Sequence, residues 1–213
     1  MAEGSAEGSA DGRPRVAAFD FDGTLSERDT LVPFLRRVRG TPRVLAAAGR
    51  AAPQVRDRDR FKLALIAHLF RDQPADRLAA EGEAYVPTLE TVLRPEMVDR
   101  LRWHQAEGHA TVLVSASLGA YLRPLAERLG LDAVLAVELV ADAGGRLTGG
   151  VVGGLNTRGP EKVARLDRWV EQRYGPGAEV ELWAYGDSSG DEQLLARADH
   201  PTWVGKRATS PSG

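Results

Sequence analysis

The sequence predicts an α/β fold, a doubly wound parallel sheet carrying one helical insertion, and three observations predict it. Short, largely apolar runs at Val16–Phe19, Ala110–Val114 and Val180–Tyr185 have strand length and end abruptly in polar or glycine residues. Later strands alternate with segments whose apolar residues recur at helical spacing. Between the first two runs, however, the pattern is helical throughout, with no strand, from Asp29 to about Glu107.

Each element has a local reason. Val16–Phe19 is apolar throughout and reads as a strand buried on both faces. Leu31, Phe34, Leu35 and Val38 mark the first helix, broken at Gly40-Thr41-Pro42, with Thr30 or Thr41 as candidate caps. A second helix is expected from Pro42 to Ala51, stopped by Pro53, and a third over Phe61–Phe70. Pro74 starts a helix carrying Leu78 and Tyr85. Pro95 starts another, through Met97, Leu101 and Trp103, which Gly108 ends. The period then changes. Ala110–Val114 is a strand ending at Ser115, Leu118–Leu129 a helix closed by Gly130, and Ala133–Val140 a strand. Gly144-Gly145 marks a hairpin turn into Arg146-Leu147-Thr148. Pro160–Arg173 is a helix, Val180–Tyr185 a strand, Asp191–Ala198 a helix and Trp203-Val204 a last short strand.

Composition narrows the function classes. The 213 residues include no cysteine, which excludes disulfides, thiolate catalysis and sulfur-ligated zinc. A formal net charge of −2 offers no global field for nucleic acid or an anionic membrane. No apolar run approaches the length of a membrane span, and R-V-L-A-A-A-G-R-A-A, the segment that could lie on a membrane surface, is short and weakly hydrophobic. No stable membrane insertion is therefore expected. The opening residues are small, polar and repetitive, so residues 1–13 are expected to be a disordered tail without signal-peptide character. A cytoplasmic protein, monomeric or homodimeric, is expected.

The polar chemistry falls just after strands. Asp20 and Asp22 follow the first, Ser115 and Ser117 the second, and Asp187, Ser188 and Asp191 a later one. Parallel strands point the same way, so these clusters share one edge of the sheet, where open α/β sheets bind ligands. Lys162 lies at the start of a helix. Four carboxylates, one lysine and hydroxyls, without histidine or cysteine, suit a hard cation and a phosphoryl group. A carboxylate can attack phosphorus, lysine and serine can hold phosphoryl oxygens, and a second carboxylate can shuttle the proton.

D-F-D-G-T-L at Asp20, V-S-A-S at Val114, G-P-E-K ending at Lys162 and G-D-S-S-G-D at Gly186 together resemble the four motifs of the haloacid dehalogenase superfamily. Within it the chain is most similar to the phosphoserine-phosphatase-like branch, subfamily IB. The resemblance spans roughly Val16 to Val204. It implies a Rossmann-like three-layer core over 14–29 and 106–213, with a small helical cap over 30–105. It also implies a magnesium-dependent phosphomonoester hydrolase working through an aspartyl phosphate. Asp20 would be the nucleophile and Asp22 the general acid/base. Ser115 and Lys162, helped by the backbone at Gly23 and Ala116, would bind phosphate. Asp20, Asp187, Asp191 and the carbonyl of Asp22 would hold Mg2+. A carboxylate at Asp22 distinguishes the phosphohydrolases of this superfamily from its dehalogenases and ion pumps.

The substrate is less sharply marked. Asp29 stands nine residues after Asp20, where phosphoserine phosphatases carry a glutamate for the amino group. The second motif reads Ser115-Ala116-Ser117 in place of S-G-G, and Gly190 replaces an asparagine in the fourth. A small phosphorylated amino acid or amino alcohol is expected. A phosphatidylglycerophosphate-type lipid phosphatase is the alternative, and a non-catalytic phosphoacceptor of the receiver type a remote one. His104 and His109, flanking Gly108, read as surface residues. His68 reads as packing on the apolar helix, with a substrate contact as the alternative, and His200 as a loop residue. The run Arg56-Asp57-Arg58-Asp59-Arg60 alternates in sign and reads as a solvated face, the alternative being that one of its arginines reaches down to an anionic substrate.

Overall fold

A computed structural model describes residues 12–205 of the chain. Of the tail expected over 1–13, residues 1–11 lie outside the described part, while the Arg13 guanidinium pairs with Asp199 at 3.3 Å. Five parallel strands form the main sheet in the order β3-β2-β1-β6-β7. They are β1 (Arg15–Phe19), β2 (Ala110–Leu118), β3 (Ala133–Val137), β6 (Glu181–Gly186) and β7 (His200–Trp203). β1 lies between β2 and β6, with Phe19 in register with both Leu113 and Tyr185. The ends that carry Asp20, Ser115 and Asp187 are thereby brought side by side.

Alternation along β1 makes the three layers. Ala17 and Phe19 join one core, with Leu101 of α6 (Pro95–Ala106) and Leu122 and Leu125 of α7 (Gly119–Leu129). Val16 and Ala18 join the other, with Leu166 and Val170 of α8 (Pro160–Tyr174) and Leu194 and Leu195 of α9 (Glu192–Arg197). A strand with cores on both faces has no polar position, which explains its unbroken apolar run. Each fully buried large aliphatic or aromatic side chain contributes roughly 1.5–3 kcal/mol.

Between β1 and β2 the chain is entirely helical apart from turns: α1 (Leu31–Arg39), α2 (Thr41–Ala51), α3 (Arg58–Phe70), α4 (Ala75–Glu83), α5 (Val86–Glu90) and α6. α3 begins earlier than its apolar run because Asp57 accepts from the N–H groups of Asp59 and Arg60, an N-cap. The alternating-charge run is thus a helix start as well as a surface. Neither Thr30 nor Thr41 caps a helix by its side chain; Asp29 Oδ1 accepts from Val32 N instead. Tyr85 falls after α4, at the start of α5.

Three strand expectations are corrected. β2 continues past Val114 to Leu118, because pairing with β3 shifts register and resumes at Leu118 and Val137. Ala133–Val140 divides into β3 and β4 (Leu139–Ala141), the latter leaving the main sheet for an antiparallel hairpin with β5 (Leu147–Val151). β7 begins at His200, three residues before Trp203, so His200 is a strand residue stacked on Trp183.

His104 and His109 are buried, not superficial. Gly108, at φ 73°, turns the chain back so that His109 Nδ1 lies 2.8 Å from His104 Nδ1. His104 Nε2 in turn lies 2.8 Å from the Tyr185 hydroxyl. His68 is exposed, on the outward side of α3.

Candidate active site

The loop leaving β1 turns at once. Thr24 N and Ser26 N both donate to the Phe21 carbonyl, and Gly23 takes φ 85°, a left-handed conformation that favours glycine. A Cβ on Gly23 would collide with the Asp187 carboxylate. The glycine therefore serves the approach of two strand ends as well as the turn. The turn aims Asp20 and Asp22 into different surroundings.

Asp20 is buried and faces Lys162 and Asp191. Lys162 Nζ donates to Asp20 Oδ1 and to Asp191 Oδ1, both at 2.6 Å. Lys162 is in the first turn of α8 and only 2% exposed, so its long side chain is threaded inward rather than solvated. Asp191 Oδ2 accepts from the Ser188 N–H at 3.1 Å and from its hydroxyl at 2.8 Å. Asp187 completes the group: one oxygen from each of Asp20, Asp187 and Asp191 lies within 4.8 Å of the others.

Electrostatics in this cluster are severe. Burial pushes the Asp20 carboxyl up to about 7, opposed by Lys162 and reinforced by Asp191 and Asp22. Burial and the neighbouring Asp191 also raise Asp187. Burial works against the Lys162 ammonium, but Asp20 and Asp191 overcome it and hold the pKa above the usual lysine value. One ammonium cannot neutralise three carboxylates. Asp187 Oδ1 is moreover buried without a hydrogen-bond partner. An all-oxygen donor set with excess negative charge and an orphaned carboxylate oxygen fits a hard divalent cation.

Asp22 is held apart from that group. Its Oδ1 accepts from Thr30 N at 2.7 Å and Thr30 Oγ1 at 2.6 Å, and its Oδ2 accepts from the Ser117 hydroxyl. Burial raises its pKa, while Ser117 and Thr30 pull it down. The Asp22 side chain is outside the three-carboxylate group. Ser115 is buried beside this site, and its Oγ accepts from Ser117 N at 3.1 Å.

Asp20, Asp22, Gly23, Asp29, Ser115, Ala116, Lys162, Asp187 and Asp191 all line one cavity of about 520 Å³. Every site residue expected from the sequence is therefore brought to a single chamber. Asp29 is exposed at its rim, engaged with the start of α1.

Other residues of the site were not anticipated as such. Lys62 of α3 reaches into the cavity and donates from Nζ to the Ala116 carbonyl at 2.5 Å. Burial lowers its pKa to about 8, against the pull of Asp22 and Asp29. The available signal was a lone charge within F-K-L-A-L-I. Asn156 donates to Asp59 Oδ1 at 2.7 Å, tying α3 to the segment before α8. Thr30, at the start of the helical insertion, and Ser117, near the end of β2, both hold Asp22, a pairing that no local pattern announces.

A family model described as haloacid dehalogenase-like hydrolase matches residues 17–196. The chain is 35% identical over 196 residues to Protein CicA of Caulobacter vibrioides (strain NA1000 / CB15N), with 87% of this chain and 84% of that protein covered. Among solved structures, a protein with unknown function from Bordetella pertussis Tohama I matches at TM-score 0.68 and 24% identity, covering 86% of each chain. A probable phosphoserine phosphatase from Vibrio cholerae matches at TM-score 0.61 and 21% identity, covering 87% of this chain and 54% of that one. The two structural likenesses show that the fold is shared.

Proposed function

The chain belongs to the haloacid dehalogenase-like hydrolase family, and from that premise we propose that it hydrolyses phosphomonoesters through an aspartyl phosphate on Asp20. The observation that carries this reading is Lys162, buried between Asp20 and Asp191 at 2.6 Å from each. A lysine is drawn into such a site only where negative charge collects, and a phosphoryl group is the charge this chamber would receive.

The chemistry follows from the residues. An Asp20 carboxylate oxygen attacks phosphorus, the ester P–O bond breaks, and the leaving oxygen takes a proton from Asp22. Water then loses a proton to Asp22 and attacks the same phosphorus. The Asp20–phosphorus bond breaks, inorganic phosphate departs, and both carboxyls return to their starting states. Lys162, the Ser115 hydroxyl and the backbone amides after Asp22 hold the phosphoryl oxygens as their charge spreads. Ser117 and Thr30 fix the Asp22 carboxyl by hydrogen bonds to both of its oxygens. Asp20, Asp187 and Asp191 would hold Mg2+, which when bound supplies charge neutralisation and Lewis acidity at the phosphoryl oxygens.

In this reading, 14–29 and 106–213, together with α6 packed on their sheet, form the catalytic core, while the helices from residue 30 up to α6 form a cap that screens the leaving group. Asp29 and Asp59 at the cavity wall favour an amino-bearing leaving group, hence a phosphorylated amino acid or amino alcohol. Among the described residues no helix is long and apolar enough to cross a membrane, which agrees with a small substrate met in the cytoplasm. Release of inorganic phosphate from p-nitrophenyl phosphate with and without magnesium tests the activity, and a panel of phosphorylated metabolites tests the substrate class. Absence of magnesium-dependent release from every member would refute the proposal.

A further inference from the structure

Between Leu31 and Arg71 the sequence carries ten basic residues and only two acids, Asp57 and Asp59. That is a formal +8 in a protein of net charge −2, leaving −10 for the rest. Among the described residues only one of the ten is ion-paired, Arg60 with Asp57 at 3.3 Å. The charge is also gathered in space. Arg39, at the end of α1, joins Arg43 and Arg50 of α2 around a depression of about 380 Å³ that His68 closes from α3. Crowding shows on Arg39, whose pKa is lowered by partial burial and by the neighbouring Arg43 and Arg77.

The same stretch exposes aliphatic side chains. Leu45 and Val55 are 63% and 65% exposed, the two most exposed large hydrophobic residues among those described. α2 buries Val44, Ala47 and Ala51 and turns Pro42, Leu45, Ala46 and Gly49 outward, with Arg43 and Arg50 along one edge of that face and Leu45 at the other. Unpaired arginines alone suit any polyanion. Nucleic acid would find no aromatic side chain between Thr41 and Arg60 on which to stack. An exposed face with arginines along one edge and aliphatic side chains over the rest suits the boundary between lipid headgroups and acyl chains.

We infer that α2 and the turn leading into α3 form a reversible docking surface for an anionic lipid bilayer. The turn runs on into Arg58, which with Val32 lines the catalytic cavity, so the surface extends to the rim of that chamber. No covalent step is involved, and docking does not depend on the chemistry assigned to Asp20.

Co-sedimentation of the full chain with phosphatidylcholine vesicles, with and without phosphatidylglycerol, tests the inference. Binding should require phosphatidylglycerol and weaken with salt. The double variant R43Q/R50Q should lower partitioning about 25-fold, about fivefold per arginine. L45S/V55S should lower it as well, which charge attraction alone would not produce. None of the four residues lines the catalytic cavity, so hydrolysis of p-nitrophenyl phosphate should be unchanged in both variants, and this also reports their folding. Failure to bind phosphatidylglycerol vesicles at low salt, equal binding to both vesicle types, or binding indifferent to either double variant would overturn the inference. Capture by DNA or polyglutamate without vesicle binding would overturn it too, and would assign the patch to a soluble polyanion.

Discussion

Lys162 Nζ and Asp20 Oδ1 lie 2.6 Å apart, and the two side chains are 3% and 9% exposed. The ammonium is shared with Asp191 at the same distance, so it is a structural counter-ion as well as a candidate phosphate ligand. Lys162→Met would leave Asp20, Asp187 and Asp191 facing one another without compensation. Removing one partner of a buried ion pair costs about 3–5 kcal/mol. Urea unfolding in the presence of a chelator should show a loss of that order. A loss below about 1 kcal/mol would mean that the carboxylates do not depend on Lys162.

Asp20→Asn keeps the shape of the side chain and removes the nucleophile. Turnover of any phosphomonoester should fall to background while the circular dichroism spectrum is retained. Residual turnover that co-purifies with the protein through successive columns would count against Asp20 as the attacking group.

Asp22→Asn should slow turnover by about 10²–10⁴-fold, the usual reach of general acid/base catalysis. Because the second half-reaction also needs Asp22, radiolabel from a labelled phosphomonoester should remain on acid-quenched protein. An unchanged rate would remove the proton-transfer role from this residue.

Three carboxylates crowded around one ammonium make the metal-free protein sensitive to divalent cations. Magnesium at a hundred times its dissociation constant should stabilise the fold by about 2.7 kcal/mol. Differential scanning fluorimetry should show this, and Asp187→Asn should abolish the shift. A magnesium response that persists in the variant would place the ion elsewhere.

Gly23→Ala combines two penalties, a left-handed backbone at φ 85° and a methyl group driven into the Asp187 carboxylate. Activity should fall steeply and the magnesium-dependent thermal shift should shrink, because Asp187 must move to make room. Wild-type kinetics in this variant would show that the approach of the two loops is not required.

Burial holds His104 neutral, lowering its pKa from 6.5 to about 3. The unfolded chain takes up a proton near pH 6.5 that the folded protein refuses, so this histidine's contribution is complete above 6.5 and declines as pH falls from there toward 3. His104→Gln should be less stable than wild type at neutral pH yet lose stability less steeply on acidification. Parallel stability–pH curves for the two proteins would be the contrary result.

Local signals carried much of this fold. Asp20 follows four consecutive buried residues at the end of β1, and a short apolar run closed by carboxylates is visible without any contact information. Strand direction did the rest for Asp187 and Ser115, since parallel neighbours must end on the same edge. Where long-range pairing decides, the pattern was silent. β2 outran its apolar stretch because β3 recaptures it at Leu118. His104 and His109 looked superficial because their burial depends on Tyr185 and Trp183, about eighty residues further along.

By itself, the order of residues determined the alternation of strands and helices, the place of the helical insertion and the identity of the acidic, basic and hydroxyl groups at the strand ends, because each rests on periodicity or on neighbours within a few positions. Only the tertiary structure decided that Lys162 is buried between Asp20 and Asp191, that Thr30 and Ser117 grip Asp22, that Lys62 enters the cavity, and that the arginines of α1 and α2 converge around one depression. Most of those arrangements join residues remote in the chain, as Lys162 with Asp20 and Ser117 with Asp22. Packing sets them by which charges must be neutralised out of water and which can stay in it.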